Sequence, residues 1–371
     1  MVSPARTRWP GGLIGLLAMV AAIEATLAHQ PLRFADTASF NWRLAVEDVR
    51  REAGDCQIAC LGDSLMKIGV IPQVIRAGTG RRTFNFGMAR APAPATYFLL
   101  RRLLEAGGKP TALLIEFKPS ILAGSPRLSL RHLQEVLSLR ESWELARESG
   151  NGTILPQILR GRSMASLRYR AEIREAVRSA LAGQTAPTIR TNRMALRNWT
   201  RNLGGHLNSS RPTFSGVIPP QIHQWFGSDD WQCHRVNRLF VDRLLALAES
   251  RSIPVFWVIP PLPTELQTRR ERSGVDEQFV GFVRSMQARH PGVTVVDGRH
   301  AGYESTTFAD HTHLNGRGSM ALSHELARIL CRTGESPRWV DLPRYRDWPT
   351  DVPAEDIDQS RLAVEAEAVR R

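Results

Sequence analysis

The chain has 371 residues, of which 42% are hydrophobic and 23% charged, and its formal net charge is +13. That length suits one large α/β domain with a sizeable insertion or two ordinary domains, and 9 Trp with 13 Phe argue against a disordered chain. The basic balance implies attraction to anionic material, but no nucleic-acid recognition motif accompanies it, so nucleic acid is not expected as a partner.

Arg6 and Arg8 precede an apolar run from Gly11 to Ile23, followed by Glu24 and small residues up to Ala28. A basic start, a short apolar core and a small-residue end form a secretory signal pattern over 1–28, with a retained N-terminal anchor as the alternative. The run is shorter than a secure membrane span. Periplasmic or secreted localisation is expected, with membrane-surface association if the segment is retained. Cys56, Cys60, Cys233 and Cys331 are too few for a disulfide scaffold, and spacing selects no pair.

From Gln57 the chain alternates short apolar strands with helices. QIACLG ends in a tight turn; RTFNFG reads as a second short strand; a helix over YFLLRRLLEAGG stops at Gly107 and Gly108. Thr111–Phe117 is a buried strand, and two more are expected at Ile253–Pro261 and Gly292–Gly298, each beside an amphipathic helix. This alternation predicts an α/β domain over 50–333, a mainly parallel sheet with helices on both faces and its site at the strands' C-terminal edge. Between about 120 and 230 the alternation lapses into helical patterns too long for a loop, which predicts an inserted helical cap. Residues 334–371 read as a peripheral tail.

Two short motifs fall on the predicted functional edge. Gly62-Asp63-Ser64 places a hydroxyl where the first strand turns into a helix; Ser64 can serve there as a nucleophile or merely as a helix N-cap. In ADHTHLN, Asp310 and His313 are three residues apart, close enough for the carboxylate to orient the imidazole while its other nitrogen faces a nucleophile. Asp297, at the end of a strand, is an alternative orienting carboxylate. His300, His311, His313 and Asp310 form a loose cluster that a metal could use, although no distant ligand is evident, and neither metal nor cofactor is expected.

With these residues the sequence resembles the GDSL or SGNH esterases and acyltransferases. The resemblance rests on three places: GDS at 62–64, FNFGM at Phe84–Met88, and DHTHLN at the far end. It implies a three-layer, flavodoxin-like SGNH-hydrolase fold, Ser64, Asp310 and His313 as the catalytic set, and the Ser64 and Gly87 N–H groups as oxyanion donors. The family's Gly-x-Asn block, source of a third donor, is replaced by IEFKPS at Ile115–Ser120, where Lys118 or Ser120 could substitute. Such departures also occur in the branch resembling bacterial polysaccharide O-acetyltransferases of the alginate type. The implied chemistry is serine-dependent acyl transfer or ester hydrolysis on an acyl ester or O-acetylated glycan outside the cytoplasm. A catalytically weak glycan-binding or assembly protein is the rival reading.

Arg190, Arg193, Arg197 and Arg201 share one broad helical face, which is either a collar for an anionic polysaccharide, with Arg193 and Arg197 at its centre, or a solvated surface. Trp199, Trp225 and Trp231 are candidate sugar-stacking platforms or core residues. The sequence does not specify an oligomeric state.

Overall fold

A computed structural model describes residues 11–30, 35–219, 222, 230–332, 337–349 and 352–369. In chain order the first half runs α1 (Gly11–His29), α2 (Thr37–Arg51), β1 (Ile58–Leu61), α3 (Ser64–Gly69), α4 (Pro72–Thr79), β2 (Thr83–Asn85), α5 (Ala93–Glu105) and β3 (Ala112–Ile115). A helical insertion follows: α6 (Pro119–Ala123), α7 (Leu130–Val136), α8 (Leu139–Ser149), α9 (Ile154–Ser163), α10 (Ala165–Arg168), α11 (Arg170–Leu181) and α12 (Pro187–Arg201). The alternation then resumes with α13 (Arg235–Glu249), β4 (Val255–Ile259), α14 (Thr264–Arg272), α15 (Val275–Arg289), β5 (Val293–Asp297), α16 (Gly316–Leu330), β6 (Trp339–Asp341) and α17 (Ile357–Val369).

The strands form one sheet in the order β2-β1-β3-β4-β5-β6, every neighbouring pair parallel. Because side chains alternate across a strand, each strand serves two cores. Ala59 and Leu61 of β1, with Leu113 and Ile115 of β3, face a core shared with α2, α5, α13 and α15. Ile58 and Cys60, with Ala112 and Leu114, face the opposite core, with Met66 of α3, Ile75 of α4 and Leu322 and Leu326 of α16. The result is a mixed α/β fold in three layers, helices on both faces of a parallel sheet.

From β1 the chain passes to β2 on one side and β3 on the other, so the strand order reverses between β1 and β3. In open parallel sheets the crevice at such a switch point is where ligands bind. Leu61 pairs with Ile115 across this boundary, which sets the next residues, Gly62 and Glu116, side by side at the C-terminal edge.

The segment between β3 and β4 carries helices α6 to α13, and its core is continuous with that of the sheet: Leu133, Leu145, Ile158, Tyr169 and Trp199 pack into the cluster that covers one sheet face. The segment after 333 does more than lie on the surface. Trp339–Asp341 pairs with Val295–Asp297 as the sixth strand, satisfying backbone groups along β5 that would otherwise form an open edge. At the other terminus, α1 exposes Leu13, Ile14, Leu16, Leu17, Met19, Val20 and Ile23, while Leu27 is buried. Its Glu24 carboxylate accepts hydrogen bonds from the N–H and hydroxyl of Ser166. Among the described residues no helix is long and apolar enough to cross a membrane.

Candidate active site

β1 delivers the chain to Gly62, whose φ of +157° is rarely adopted by residues with a side chain. A Cβ there would lie 2.6 Å from the Glu116 carbonyl oxygen, so glycine is needed for the two strand ends to approach. Asp63 is the N-cap of α3, its carboxylate accepting from the Leu65 N–H at 2.8 Å. Ser64 is therefore the first helical residue and is not the cap. Its hydroxyl is spared from capping, and its N–H is one of the first-turn donors for which the helix itself has no acceptor.

The partner loop lies between β5 and α16. A bridge between Phe308 and Leu314 closes it, and Asn315 caps α16 by accepting from the Gly318 N–H while its amide donates to the Thr306 carbonyl. Within this closed loop Asp310 Oδ1 accepts from the backbone N–H of Thr312 at 2.8 Å and of His313 at 2.9 Å. Asp310 Oδ2 lies 2.7 Å from His313 Nδ1, and His313 Nε2 lies 2.9 Å from Ser64 Oγ. An ionised carboxylate can only accept, so Nδ1 carries the imidazole proton and Nε2 accepts from the serine hydroxyl. Burial by itself would raise the Asp310 pKa, yet the His313 hydrogen bond and the two backbone donors hold the carboxyl well below the usual carboxylate range. Ser64, His313 and Asp310, drawn from positions nearly 250 residues apart, are thus brought into one hydrogen-bonded line.

The Gly87 expectation needs correction. Its N–H donates to the Asn85 side-chain carbonyl at 2.9 Å, so it is already engaged. Asn85 is fully buried, and its amide also donates to the Met66 and Val70 carbonyls at 2.9 and 3.0 Å, closing the end of α3. A Cβ on Gly87 would come within 2.8 Å of the Lys67 nitrogen. The glycine in FNFGM thus allows β2's exit to press against α3, and its N–H serves that packing.

The other candidates separate as follows. Asp297 is bound by the Arg299 guanidinium and backbone N–H, so it orients Arg299 rather than His313. His300 Nε2 faces Glu271 at 3.7 Å, and among the described residues no group of three or more His, Cys, Asp and Glu side chains is placed to hold a metal ion. All four cysteines are free thiols. On the arginine face, Arg190 and Arg193 are exposed, but Arg197 pairs with Glu355 at 2.6 Å and with Glu367 at 3.2 Å, and Arg201 also reaches Glu355. Arg197 is therefore not part of an open collar: it attaches α17 and its preceding loop to α12. Trp199 and Trp231 are buried, their indole N–H groups donating to Asp48 and to the Pro119 carbonyl, so neither offers a face for stacking; Trp225 lies outside the described residues.

Beside Leu65 and Thr312, the neighbours of Ser64 and His313, lies a narrow cavity of about 30 Å³ between the ends of β3 and β4. Leu65, Phe117, Ile259, Leu262 and Phe279 give it an apolar lining, and Thr312 belongs to the triad loop. Lys118 and Ser120, the sequence candidates for a replacement donor, both line it. Three further polar groups of this region, Glu116 and Lys67 buried and His206 half-buried, were not singled out in the sequence. Glu116 lines the cavity, and its Oε2 accepts from the Asp63 N–H at 3.2 Å. Lys67 places its ammonium 4.0 Å from the Trp199 ring centroid with no hydrogen-bond partner, and burial pushes its pKa well down. His206, whose N–H donates to the Lys67 carbonyl, is lowered to about 4 by desolvation and then by Lys67 and His313. The available signal was Glu116 itself, an acidic residue directly after the apolar strand ALLI; Lys67 and His206 have no comparable mark.

No protein-family model matches the chain, and comparison with the curated proteins gives no match.

Proposed function

We propose that the protein is a serine-dependent acyl-ester enzyme of SGNH-hydrolase type that transfers an acyl group from an ester through Ser64 to water or to a carbohydrate hydroxyl outside the cytoplasm. One observation carries this reading: His313 Nε2 at 2.9 Å from Ser64 Oγ, with Nδ1 at 2.7 Å from Asp310. A hydroxyl is a weak nucleophile until a base accepts its proton, and a base works best when a third group fixes its tautomer. A parallel sheet ordered β2-β1-β3-β4-β5 supports the flavodoxin-like form of the fold. The narrow apolar cavity next to Leu65 supports a short acyl group, acetyl above all. The basic leader pattern and the resemblance to O-acetylation proteins support an exported enzyme and a glycan as acceptor or substrate.

In this mechanism Ser64 Oγ attacks the ester carbonyl carbon as its proton passes to His313 Nε2, and the carbonyl π electrons move to oxygen. The tetrahedral species collapses, the C–O bond to the leaving alcohol breaks, and His313 returns the proton to that alcohol. Water or a sugar hydroxyl then repeats the sequence on the Ser64 ester with His313 again as base.

Steady-state hydrolysis of a small activated acetyl ester tests the reading. Ser64→Ala and His313→Ala are expected to lower kcat/KM by about three orders of magnitude or more, and Asp310→Asn by up to about four, with melting temperatures near wild type. Variants as active as wild type would leave the triad without a catalytic role and favour the glycan-binding or assembly reading.

A further inference from the structure

We propose that Glu116 is the second oxyanion donor, its carboxylic O–H acting beside the Ser64 N–H in place of a backbone or asparagine donor. This rests on the Ser64 reading and deepens it. A tetrahedral intermediate needs at least two donors converging on its oxygen, and Ser64 provides one. The donor expected at Gly87 is engaged by Asn85. The amides of Asn85 and Asn208 are likewise committed, to the Met66 and Val70 carbonyls and to the Leu314 carbonyl. The Thr312 hydroxyl faces Asp310 at 3.2 Å.

Glu116 is placed differently. The parallel register sets it beside Gly62 at the switch point, it is buried, and it lines the cavity that Leu65 and Thr312 share. Its Oε2 accepts from the Asp63 N–H, the amide one residue before Ser64. Its Oε1 is buried with no hydrogen-bond partner. A buried polar atom without a partner is costly, and such atoms concentrate where a ligand completes them.

The charge state follows from the surroundings. Burial raises the Glu116 pKa far above the ordinary carboxyl value, and the neighbouring Asp63 side chain raises it further by its charge and by a hydrogen bond, against the Asp63 backbone N–H, which lowers it. Lys118, on the same segment, also lowers it, more weakly. Across the cavity, Arg270 is paired with Asp276 at 2.9 Å, and in the triad loop Asp310 is paired with His313. A carboxyl kept neutral by an apolar site can donate a hydrogen bond to an oxyanion, as is known for another enzyme's protonated aspartate. With Oε2 accepting from the Asp63 amide, the proposed donor is a proton on Oε1, the oxygen that has no partner. The proton stays on Glu116 throughout: it is shared with the oxyanion as the carbonyl π electrons move to oxygen and released from that contact on collapse.

The test compares wild type, Glu116→Gln and Glu116→Leu in the rate of acyl-enzyme formation with an acetyl ester, from neutral to alkaline pH. Gln keeps both a donor and an acceptor at this position; Leu keeps only the volume. Glu116→Leu is expected to slow acylation about 100-fold in a protein that still folds, with some loss of melting temperature because the Asp63 N–H loses its acceptor. Glu116→Gln is expected to stay within about tenfold of wild type, on the same scale of donor loss. The wild-type rate is expected to fall at alkaline pH as Glu116 ionises, and Glu116→Gln is expected to abolish that fall. Carboxyl ¹³C resonances, with Glu116 assigned by difference from Glu116→Gln, are expected to show this group protonated at neutral pH. A folded Glu116→Leu that acylates as fast as wild type, a folded Glu116→Gln as slow as Glu116→Leu, or an ionised Glu116 at neutral pH would each overturn the proposal while leaving Ser64 as nucleophile. A wild type that never acylates on Ser64 would overturn both.

Discussion

Around Ser64 adjacent side chains divide the work. Asp63 takes the capping role, Gly62 allows the strand ends to touch, and the Ser64 hydroxyl is left to His313. The flanking imidazole, His206, shows the effect of burial on a neutral base in the same neighbourhood. Its pKa is lowered to about 4 by desolvation, Lys67 and His313, whereas an unfolded-state histidine titrates near about 6.5. Between these values the unfolded chain binds more protons than the native state, so stability rises with pH across the interval. The native state is therefore expected to lose stability as pH falls from about 6.5 to about 4, by at most about 3 kcal/mol from this residue and less because its edge retains some exposure. Urea melts of wild type and His206→Gln should show a smaller loss for the variant over that interval. Equal losses would mean that His206 is not held neutral.

At the scale of elements, the helix that carries the arginine face gives a clear case of charge used for attachment. Arg197 binds Glu355 with two nitrogens and reaches Glu367 in α17, and Asn198 and Asn202 donate to the Glu355 carbonyl. Partly exposed ion pairs contribute little each, so Arg197→Ala is expected to destabilise the whole protein by no more than about 1 kcal/mol. Its local effect should be larger. Amide hydrogen exchange over 357–369 should accelerate in Arg197→Ala while exchange in β1 and β3 is unchanged. Unchanged protection of α17 would show that its apolar contacts, Val364 among them, suffice without the pair.

The strands and the residues of the Ser64–His313–Asp310 hydrogen-bonded line were legible in the sequence because their signals are local and steep. Four- and five-residue apolar runs ending in Gly-Asp-Ser or Asp-Gly mark parallel strands, and Asp-x-x-His spacing is set by the geometry of a single loop. β6 was not legible, because WVD is too short to show a period and becomes a strand only when β5 presents an edge. The Gly87 expectation came from the resemblance of FNFGM to the family's second block, whereas Asn85, two residues earlier, takes that donor. The arginine face was ambiguous because helical spacing puts charges together without saying which carboxylates, 158 residues further on, will meet them. Glu116 was present in IEFKPS but read only as the absence of Asn, since its burial depends on the β1–β3 register rather than on its neighbours in sequence.

For the protein as a whole, the proposed function requires that Ser64, at the sheet's switch point, carry an acyl group during turnover. The most direct measurement is mass spectrometry of the peptide containing Ser64 after incubation of the full chain with an activated acetyl ester and acid quenching, beside Ser64→Ala treated identically. The expected result is one acetyl group on Ser64 of wild type and none at that peptide in Ser64→Ala. The same adduct in both proteins, or none in wild type with either the activated ester or an O-acetylated glycan, would contradict the account.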